Sequence, residues 1–215
     1  AAATTPAPLR IVVSGRTHEN ASPIDIDASS SPSEIWITGE RGASLQPPAD
    51  GSPVLTIKPG APPVHVLGLA FIDGSKVLIE GGSVDIENCT FSPPLPPPPR
   101  PPPARPSGPG EHGAGPSRNL QEDPGPAPLS SNERALSVHG GDVILHRATF
   151  SRVIGGAVVV MDGSLTMFDS HIHNCRADMG AALRVVGGTA RISRSLFEGN
   201  VATASGGAIA LEGRG

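Results

Sequence analysis

The sequence predicts an all-β protein: a right-handed parallel β-helix of about six or seven coils, with a disordered proline-rich insertion in one of them. Three observations predict this fold. One short apolar pattern recurs about every 20 to 25 residues in the regular part of the chain. Apolar residues alternate with polar ones within each copy, and no window has the i, i+3, i+4 spacing of an amphipathic helix. A copy of this length cannot bury its own apolar side, so we expect the copies to stack.

The regular copies share one frame, in which apolar or small residues occupy the first, third, sixth and eighth positions. The five copies are Val64-Val66-Leu69-Phe71, Val84-Ile86-Cys89-Phe91, Val143-Leu145-Ala148-Phe150, Leu165-Met167-Ser170-Ile172 and Ala190-Ile192-Ser195-Phe197. The period of two predicts a strand whose buried face carries these residues. The bulky residues at the eighth position are expected to form one internal column.

A second apolar pair follows each frame after a glycine-rich bend, so each copy is expected to contain two strands. The pairs are Val77/Ile79, Leu136/Val138, Val158/Val160, Leu183/Val185 and Ile209/Leu211. The next frame always begins five positions after the end of a pair, as in Val160 to Leu165, and glycine recurs among the four residues between them. A constant gap predicts a constant turn.

Residues 9–63 are expected to form irregular N-terminal coils of the same solenoid. Strands are predicted at Ile11-Val13, Ile24-Ile26, Ile35-Ile37 and Val54 to Ile57, between bends rich in Ser and Gly. Terminal repeats are commonly atypical because they cap an open apolar end. Trp36 alternates with two inward isoleucines and is expected to face outward. It could stack on a sugar ring or be partly covered by the loop at Gln46 to Ser52.

The segment 93–131 differs from the rest of the chain in composition. It holds 15 of the 25 prolines and almost nothing apolar, so it is predicted to be extended or disordered. We interpret it as an insertion within one coil of a single domain that covers residues 1–215, with regular coils at 64–92 and 132–215. The insertion could bind a partner domain that recognises proline, carry glycans, or be neutral.

Composition and charge argue against two classes of partner. The 16 basic and 20 acidic residues are scattered, and without a basic run or an aromatic platform they do not predict binding of nucleic acid. No apolar run is long enough for a membrane span in this segment, and no signal peptide is visible. The chain lacks an initiator Met and stops just after a predicted strand, so we interpret it as a piece of a longer protein.

Cys89 and Cys175 are predicted to be free thiols. They fall two coils apart, roughly 10 Å, which exceeds the ~7 Å between the Cα atoms that a disulfide can join. Asn20 and Asn88 begin glycosylation sequons, a motif short enough to arise often by chance.

The glycine-rich bends resemble those of a known family. The bends are Gly155-Gly156-Ala157-Val158, Gly180-Ala181-Ala182-Leu183 and Gly206-Gly207-Ala208-Ile209, and Phe197-Glu198-Gly199-Asn200 precedes the last of them. They resemble the GGA[ILV] and FxxN repeats of chlamydial polymorphic outer membrane proteins. The frame from Val64 to Gly215 also resembles right-handed β-helices of the pectin-lyase-like superfamily. Cys175 and Val153 replace the asparagine equivalent to Asn200. The resemblance implies an extracellular or cell-surface domain that acts in adhesion.

The superfamily also includes pectate lyases and polygalacturonases, so the resemblance makes outward carboxylates candidates for catalysis. Such enzymes need two or more carboxylates that converge on one groove. At the two outward positions of the first strand only one coil supplies acids, Asp85 and Glu87, and His146 on the next coil completes the best candidate cluster. No Lys or Arg lies beside these acids to bind an anionic sugar.

Two other sets of outward side chains are candidates for ion pairing and for metal binding. Asn88, Arg147, Asp169 and Arg194 form a third row, in which ion pairs between coils are expected to contribute ~0–1 kcal/mol each. His171 and His173 share the outward face of one strand and suit a metal ion, but the sequence predicts no third ligand nearby.

From these features we expect a non-catalytic scaffold of a surface or secreted protein. It would be adhesive, would bind a polysaccharide or a cell-surface protein, and would need no cofactor. The alternative is a carbohydrate-active lyase or glycoside hydrolase, for which acids on adjacent coils would be required.

Overall fold

The computed structural model describes residues 7–18, 22–29, 32–93 and 134–213. These residues form a parallel β-solenoid, and none of them lies in a helix. The all-β parallel fold predicted from the sequence is therefore confirmed, while its right-handed winding stays a prediction based on the resemblance to the pectin-lyase-like superfamily. The predicted proline-rich insertion lies outside the described residues, except for Pro93.

The strands follow one another in seven coils. Coils 1 to 4 contain β1 (Leu9–Val13), β2 (Thr17–His18) and β3 (Ile24–Ile26); β4 (Ile35–Gly39), β5 (Ser44–Leu45) and β6 (Leu55–Ile57); β7 (Val64–Leu67), β8 (Ala70–Ile72) and β9 (Val77–Ile79); and β10 (Ser83–Glu87), β11 (Thr90–Ser92) and β12 (Leu136–Val138). Coils 5 to 7 contain β13 (Asp142–His146), β14 (Thr149–Ser151) and β15 (Val158–Val160); β16 (Ser164–Phe168), β17 (His171–His173), β18 (Arg176–Met179) and β19 (Leu183–Val185); and β20 (Thr189–Ser193), β21 (Leu196–Glu198), β22 (Val201–Ser205) and β23 (Ile209–Leu211).

Equivalent strands of successive coils pair into three seven-stranded parallel sheets. The first sheet is β1-β4-β7-β10-β13-β16-β20, the second is β2-β5-β8-β11-β14-β17-β21, and the third is β3-β6-β9-β12-β15-β19-β23. A short fourth sheet pairs β18 with β22. Val64 aligns with Val84, Val84 with Val143, and so on to Ala190, as the sequence frame predicts.

The frame is split into two strands, and the expectation of two strands per copy was therefore wrong: each regular coil has at least three. The fifth position of the frame adopts the left-handed region, with φ of 52° at Asn88, 52° at Arg147, 51° at Asp169 and 48° at Arg194. Side chains at the first and third positions of the frame point inward, and the next inward side chains are those at the sixth and eighth positions. A regular strand would instead place the fifth and seventh side chains inward, because its side chains alternate between the two faces. The chain turns there from the first sheet to the second.

The constant spacing of five positions between a pair and the next frame corresponds to a stacked glycine turn, as predicted. Gly82, Gly141, Gly163 and Gly188 precede successive strands of the first sheet and have φ of 86°, 82°, 83° and 72°. A Cβ built on Gly163 would collide with the carbonyl oxygen of Gly141 one coil below. Glycine is needed here both for the positive φ and for the close approach of the next coil.

The predicted internal column of large side chains is present. Phe71, Phe91 and Phe150 stack face to face, with ring centroids 4.7 and 4.4 Å apart and planes 10° and 4° from parallel. Ile172 and Phe197 continue the same register. Phe197 is only partly buried, because the described residues pack against it from one side.

Arg134 is a buried cation that the sequence frame did not predict. Its side chain is 1% exposed, and it donates hydrogen bonds to the carbonyl oxygens of Met179 (2.6 Å) and Gly180 (2.7 Å). Burial, followed by repulsion from Arg184, lowers the pKa of Arg134 to about 10. A Cβ on residue 156 would lie in the space that the guanidinium occupies, so glycine at this position leaves room for Arg134.

The cysteines behave as predicted. Cys89 and Cys175 are both free and buried, and burial raises the pKa of each thiol to about 11. Among the described residues there is also no long apolar helix that could cross a membrane.

Candidate functional site

The outer face of the first sheet carries the candidate site. Two rows of outward side chains cross its strands, one through Trp36, His65, Asp85, Ile144, Thr166 and Arg191, and the other through Thr38, Leu67, Glu87, His146, Phe168 and Ser193. The part of these two rows between β4 and β16 lines a depression of about 360 Å³, which we call the first-sheet groove; Thr38, Thr166, Arg191 and Ser193 lie outside it. Its outward walls are Trp36, His65, Leu67, Asp85, Glu87, Ile144, His146 and Phe168.

His65 lies at one end of the groove between two carboxylates and an indole. Its Nδ1 is 3.0 Å from Oδ2 of Asp85, and its Nε2 is 3.6 Å from Oε2 of Glu34. The imidazole also stacks on Trp36, with ring centroids 4.1 Å apart and planes 17° from parallel. Contacts on both nitrogens and on one face therefore hold the orientation of this ring.

His146 has equivalent partners at the other end of the groove. Its Nδ1 is 3.4 Å from Oε1 of Glu87, and its Nε2 is 3.6 Å from Oδ2 of Asp169. The imidazole stacks on Phe168, with centroids 4.4 Å apart and planes 25° from parallel. In each cluster one imidazole therefore lies between two carboxylates, with one carboxylate beside each ring nitrogen.

The two rows carry the same chemical order in opposite directions. Along the first row an aromatic ring, an imidazole, a carboxylate and an aliphatic side chain follow one another as Trp36, His65, Asp85 and Ile144. Along the second row the same order runs backwards as Phe168, His146, Glu87 and Leu67. The groove thus presents two copies of one arrangement, which meet at the central strand β10.

The groove is acidic. None of its lining residues is Lys or Arg. The outer acid Asp169 is balanced by Arg194, whose Nε and Nη2 lie 2.7 and 3.1 Å from the two carboxylate oxygens. This hydrogen bonding holds the pKa of the Asp169 carboxyl below its ordinary value. The predicted ion pairing between coils is confirmed for this pair.

The structure modifies the predicted cluster of Asp85, Glu87 and His146. The three residues do line one groove, but Asp85 pairs with His65 and only Glu87 pairs with His146. Sequence reasoning missed the outer acids Glu34 and Asp169. It also missed the contact between Trp36 and His65, which the pairing of β4 with β7 produces. The indole of Trp36 stacks on His65 in the groove.

The second candidate pair, His171 and His173, lies on the outer face of the second sheet. The two imidazole centroids are 4.5 Å apart. Nε2 of His171 is 3.6 Å from Glu198, and Nδ1 of His173 is 3.1 Å from the side-chain nitrogen of Asn174. Within residues 7–18, 22–29, 32–93 and 134–213, no three His, Cys, Asp or Glu side chains are placed to hold a metal ion.

Comparisons with known proteins identify no relative. No family model matches the chain, and neither a curated protein nor a solved structure shows significant similarity to it.

Proposed function

We propose that this chain is a non-catalytic β-helix scaffold of a surface or secreted protein, and that its first-sheet groove binds glycans in adhesion. The observation that carries the proposal is the groove itself. It combines aromatic rings, carboxylates and apolar side chains in one depression. Sites for small ligands and sugars combine apolar and aromatic walls with a few polar groups in this way.

The rigidity of the groove supports a binding role. Its side chains project from paired strands of the first sheet, and Asp85 and Glu87 lie on a strand that is hydrogen-bonded on both sides. The imidazoles are further held by stacking on Trp36 and Phe168. A site that is ordered before the ligand arrives loses little conformational entropy on binding.

The symmetry of the groove supports binding over catalysis. Glycoside hydrolysis needs one carboxyl group as acid and another as base or nucleophile, which requires two different environments. Asp85 and Glu87 instead have matching environments, because each lies against an imidazole that is backed by an aromatic ring. No arginine or lysine lines the groove to bind an anionic substrate.

The proposed surface location follows from the resemblance to polymorphic outer membrane proteins and to the pectin-lyase-like superfamily. The resembling residues have physical roles. Gly156, Gly180 and Gly206 have φ of 112°, 51° and 60° in stacked bends. The amide of Asn200 accepts from the Cys175 backbone N–H at 3.0 Å and donates to the Ile172 carbonyl at 2.8 Å. These roles explain why such residues would recur in a β-helix.

The proposal is tested by incubating the chain with immobilised polysaccharides and measuring both binding and released sugar ends. We expect binding without new reducing or unsaturated ends, and weaker binding by the double variant Asp85→Asn with Glu87→Gln. Thr166→Ala, an outward change beside the groove in the first row, is the matched control. Turnover that Glu87→Gln abolishes would favour the lyase or hydrolase alternative. Binding to cell-surface proteins but to no glycan would overturn the choice of ligand.

A further inference from the structure

We infer that the first-sheet groove selects an uncharged glycan chain that lies across the strands and reaches from Trp36 to Phe168. This inference rests on the proposed function and adds the charge class, the orientation and the minimum length of the ligand.

The charge class follows from the side chains that a bound sugar would meet. Asp85 and Glu87 occupy the centre of the groove, and no Lys or Arg is among its lining residues. A uronate or sulfated sugar would bring its anionic groups against these carboxylates without a compensating cation, which is unfavourable at short range. Hydroxyl groups, in contrast, are donors that a carboxylate accepts well.

The carboxylates keep hydrogen-bonding capacity for such hydroxyls. The imidazole of His65 lies against Oδ2 of Asp85, and that of His146 lies against Oε1 of Glu87. The second oxygens, Oδ1 and Oε2, accept no hydrogen bond from another residue within the described part of the chain. Each carboxylate therefore offers an oriented acceptor while its imidazole holds it in place.

Apolar surface accompanies each acceptor. Ile144 is 39% exposed in the row of Asp85, and the half-buried Leu67 occupies the equivalent place beside Glu87. Sugar rings present C–H faces next to their hydroxyl groups, so an aliphatic side chain beside a carboxylate suits them. The second copy of the arrangement, which runs in the reverse direction, offers the same contacts to another part of the bound glycan.

The orientation and length follow from the positions of the aromatic rings. Trp36 is on β4 and Phe168 is on β16, with β7, β10 and β13 between them. Four spacings of about 4.8 Å place these strands about 19 Å apart along the solenoid axis. A single sugar can contact one half of the groove only. A chain of several units that runs across the strands can contact both halves.

The test is isothermal titration calorimetry of the full chain at fixed salt with two ligand series. One series contains uncharged glucose, mannose and N-acetylglucosamine oligomers from disaccharide to hexasaccharide, and the other contains oligogalacturonates of the same lengths. We expect binding of an uncharged series, with affinity that rises with length and then levels off. We expect no binding of oligogalacturonate.

Two sets of variants make the test specific. Trp36→Ala and Phe168→Ala should each lower the hexasaccharide affinity by about three- to tenfold and leave that of the disaccharide less affected, whereas Thr166→Ala should change neither. Ile144→Lys places a cation at the exposed position beside Asp85 and should allow oligogalacturonate to bind.

The outcomes separate this inference from the proposed function. Tighter binding of oligogalacturonate than of every uncharged chain, or equal affinity for disaccharide and hexasaccharide, would overturn the inference and leave glycan binding intact. Absence of binding to any carbohydrate would overturn both.

Discussion

The indole of Trp36 lies flat on the imidazole of His65, with ring centroids 4.1 Å apart. Because Trp36 is the only tryptophan, its fluorescence reports on this contact alone. We predict that His65→Ala shifts the emission maximum to longer wavelength, since one face of the indole then meets water. His139→Ala, on the third-sheet side of the solenoid, serves as the control. An unchanged spectrum in the His65 variant would mean that the stack does not persist in solution.

The phenylalanine column should dominate the stability of the solenoid. Phe150 is fully buried and stacks on Phe91, so Phe150→Ala should lower the free energy of unfolding by ~3–5 kcal/mol through the cavity it leaves. Phe197→Ala should cost less, because Phe197 is only partly buried. Thr166→Ala, outward in the same frame, should be nearly neutral. Urea denaturation measures all three, and an equal cost for Thr166 and Phe150 would contradict the assigned register.

The glycine turn gives a second stability prediction. Gly163→Ala puts a Cβ into the carbonyl of Gly141 and also forces alanine to a φ of 83°. We expect a loss of more than ~2 kcal/mol. Gly51→Ala is the matched control, since Gly51 also has positive φ but its Cβ would meet nothing within 4 Å. Thermal unfolding compares the two variants. Similar losses would show that backbone strain, and not the collision with the neighbouring coil, determines the effect.

Arg134 should be essential although it lies outside the repeated frame. Arg134→Met leaves the carbonyl oxygens of Met179 and Gly180 without their buried donor, for which we expect a loss of about 3 kcal/mol. Arg176→Met changes an exposed arginine and should cost less than ~0.5 kcal/mol. Chemical denaturation monitored by circular dichroism compares the variants. A near-neutral Arg134→Met would mean that water satisfies these carbonyls.

The Asp169–Arg194 pair predicts a specific acid response. Hydrogen bonding from Arg194 lowers the pKa of Asp169 from its ordinary value of 3.8, so the folded state favours the carboxylate more than the unfolded state does. The stabilising contribution is therefore present above the unfolded pKa and is lost as the pH falls through the lowered folded pKa. In a carbon-detected NMR titration, Arg194→Ala should return the Asp169 pKa towards 3.8. The absence of such a change would show that the pair does not form in solution.

Sequence periodicity predicted the parts of the structure that follow from stacking. Once Val84 is aligned with Val143, the placement of Asp85 beside Ile144 and of Glu87 beside His146 follows without further information. The split of the frame into two strands was missed. The spacing of the inward positions indicates it, because two positions separate the first from the third but three separate the third from the sixth.

Two other features had no periodic signal. Glu34 lies in an irregular coil, where the spacing to Val64 is not that of the later copies, so its contact with His65 could not be derived. Arg134 follows the insertion directly, and nothing in its neighbours along the chain indicates that it is buried among carbonyls two coils away.

Arg134 also changes how cooperative the solenoid is expected to be. In a stack of repeats, stability is approximately a sum of terms for single repeats and for nearest neighbours, so unfolding can begin at an end and proceed coil by coil. Arg134 belongs to coil 4, whereas Met179 and Gly180, which accept its hydrogen bonds, belong to coil 6. The Arg134 side chain therefore adds to the free energy of unfolding an interaction between two coils that are not adjacent. Coils 4, 5 and 6 are therefore expected to open together, as one unit within an otherwise linear array.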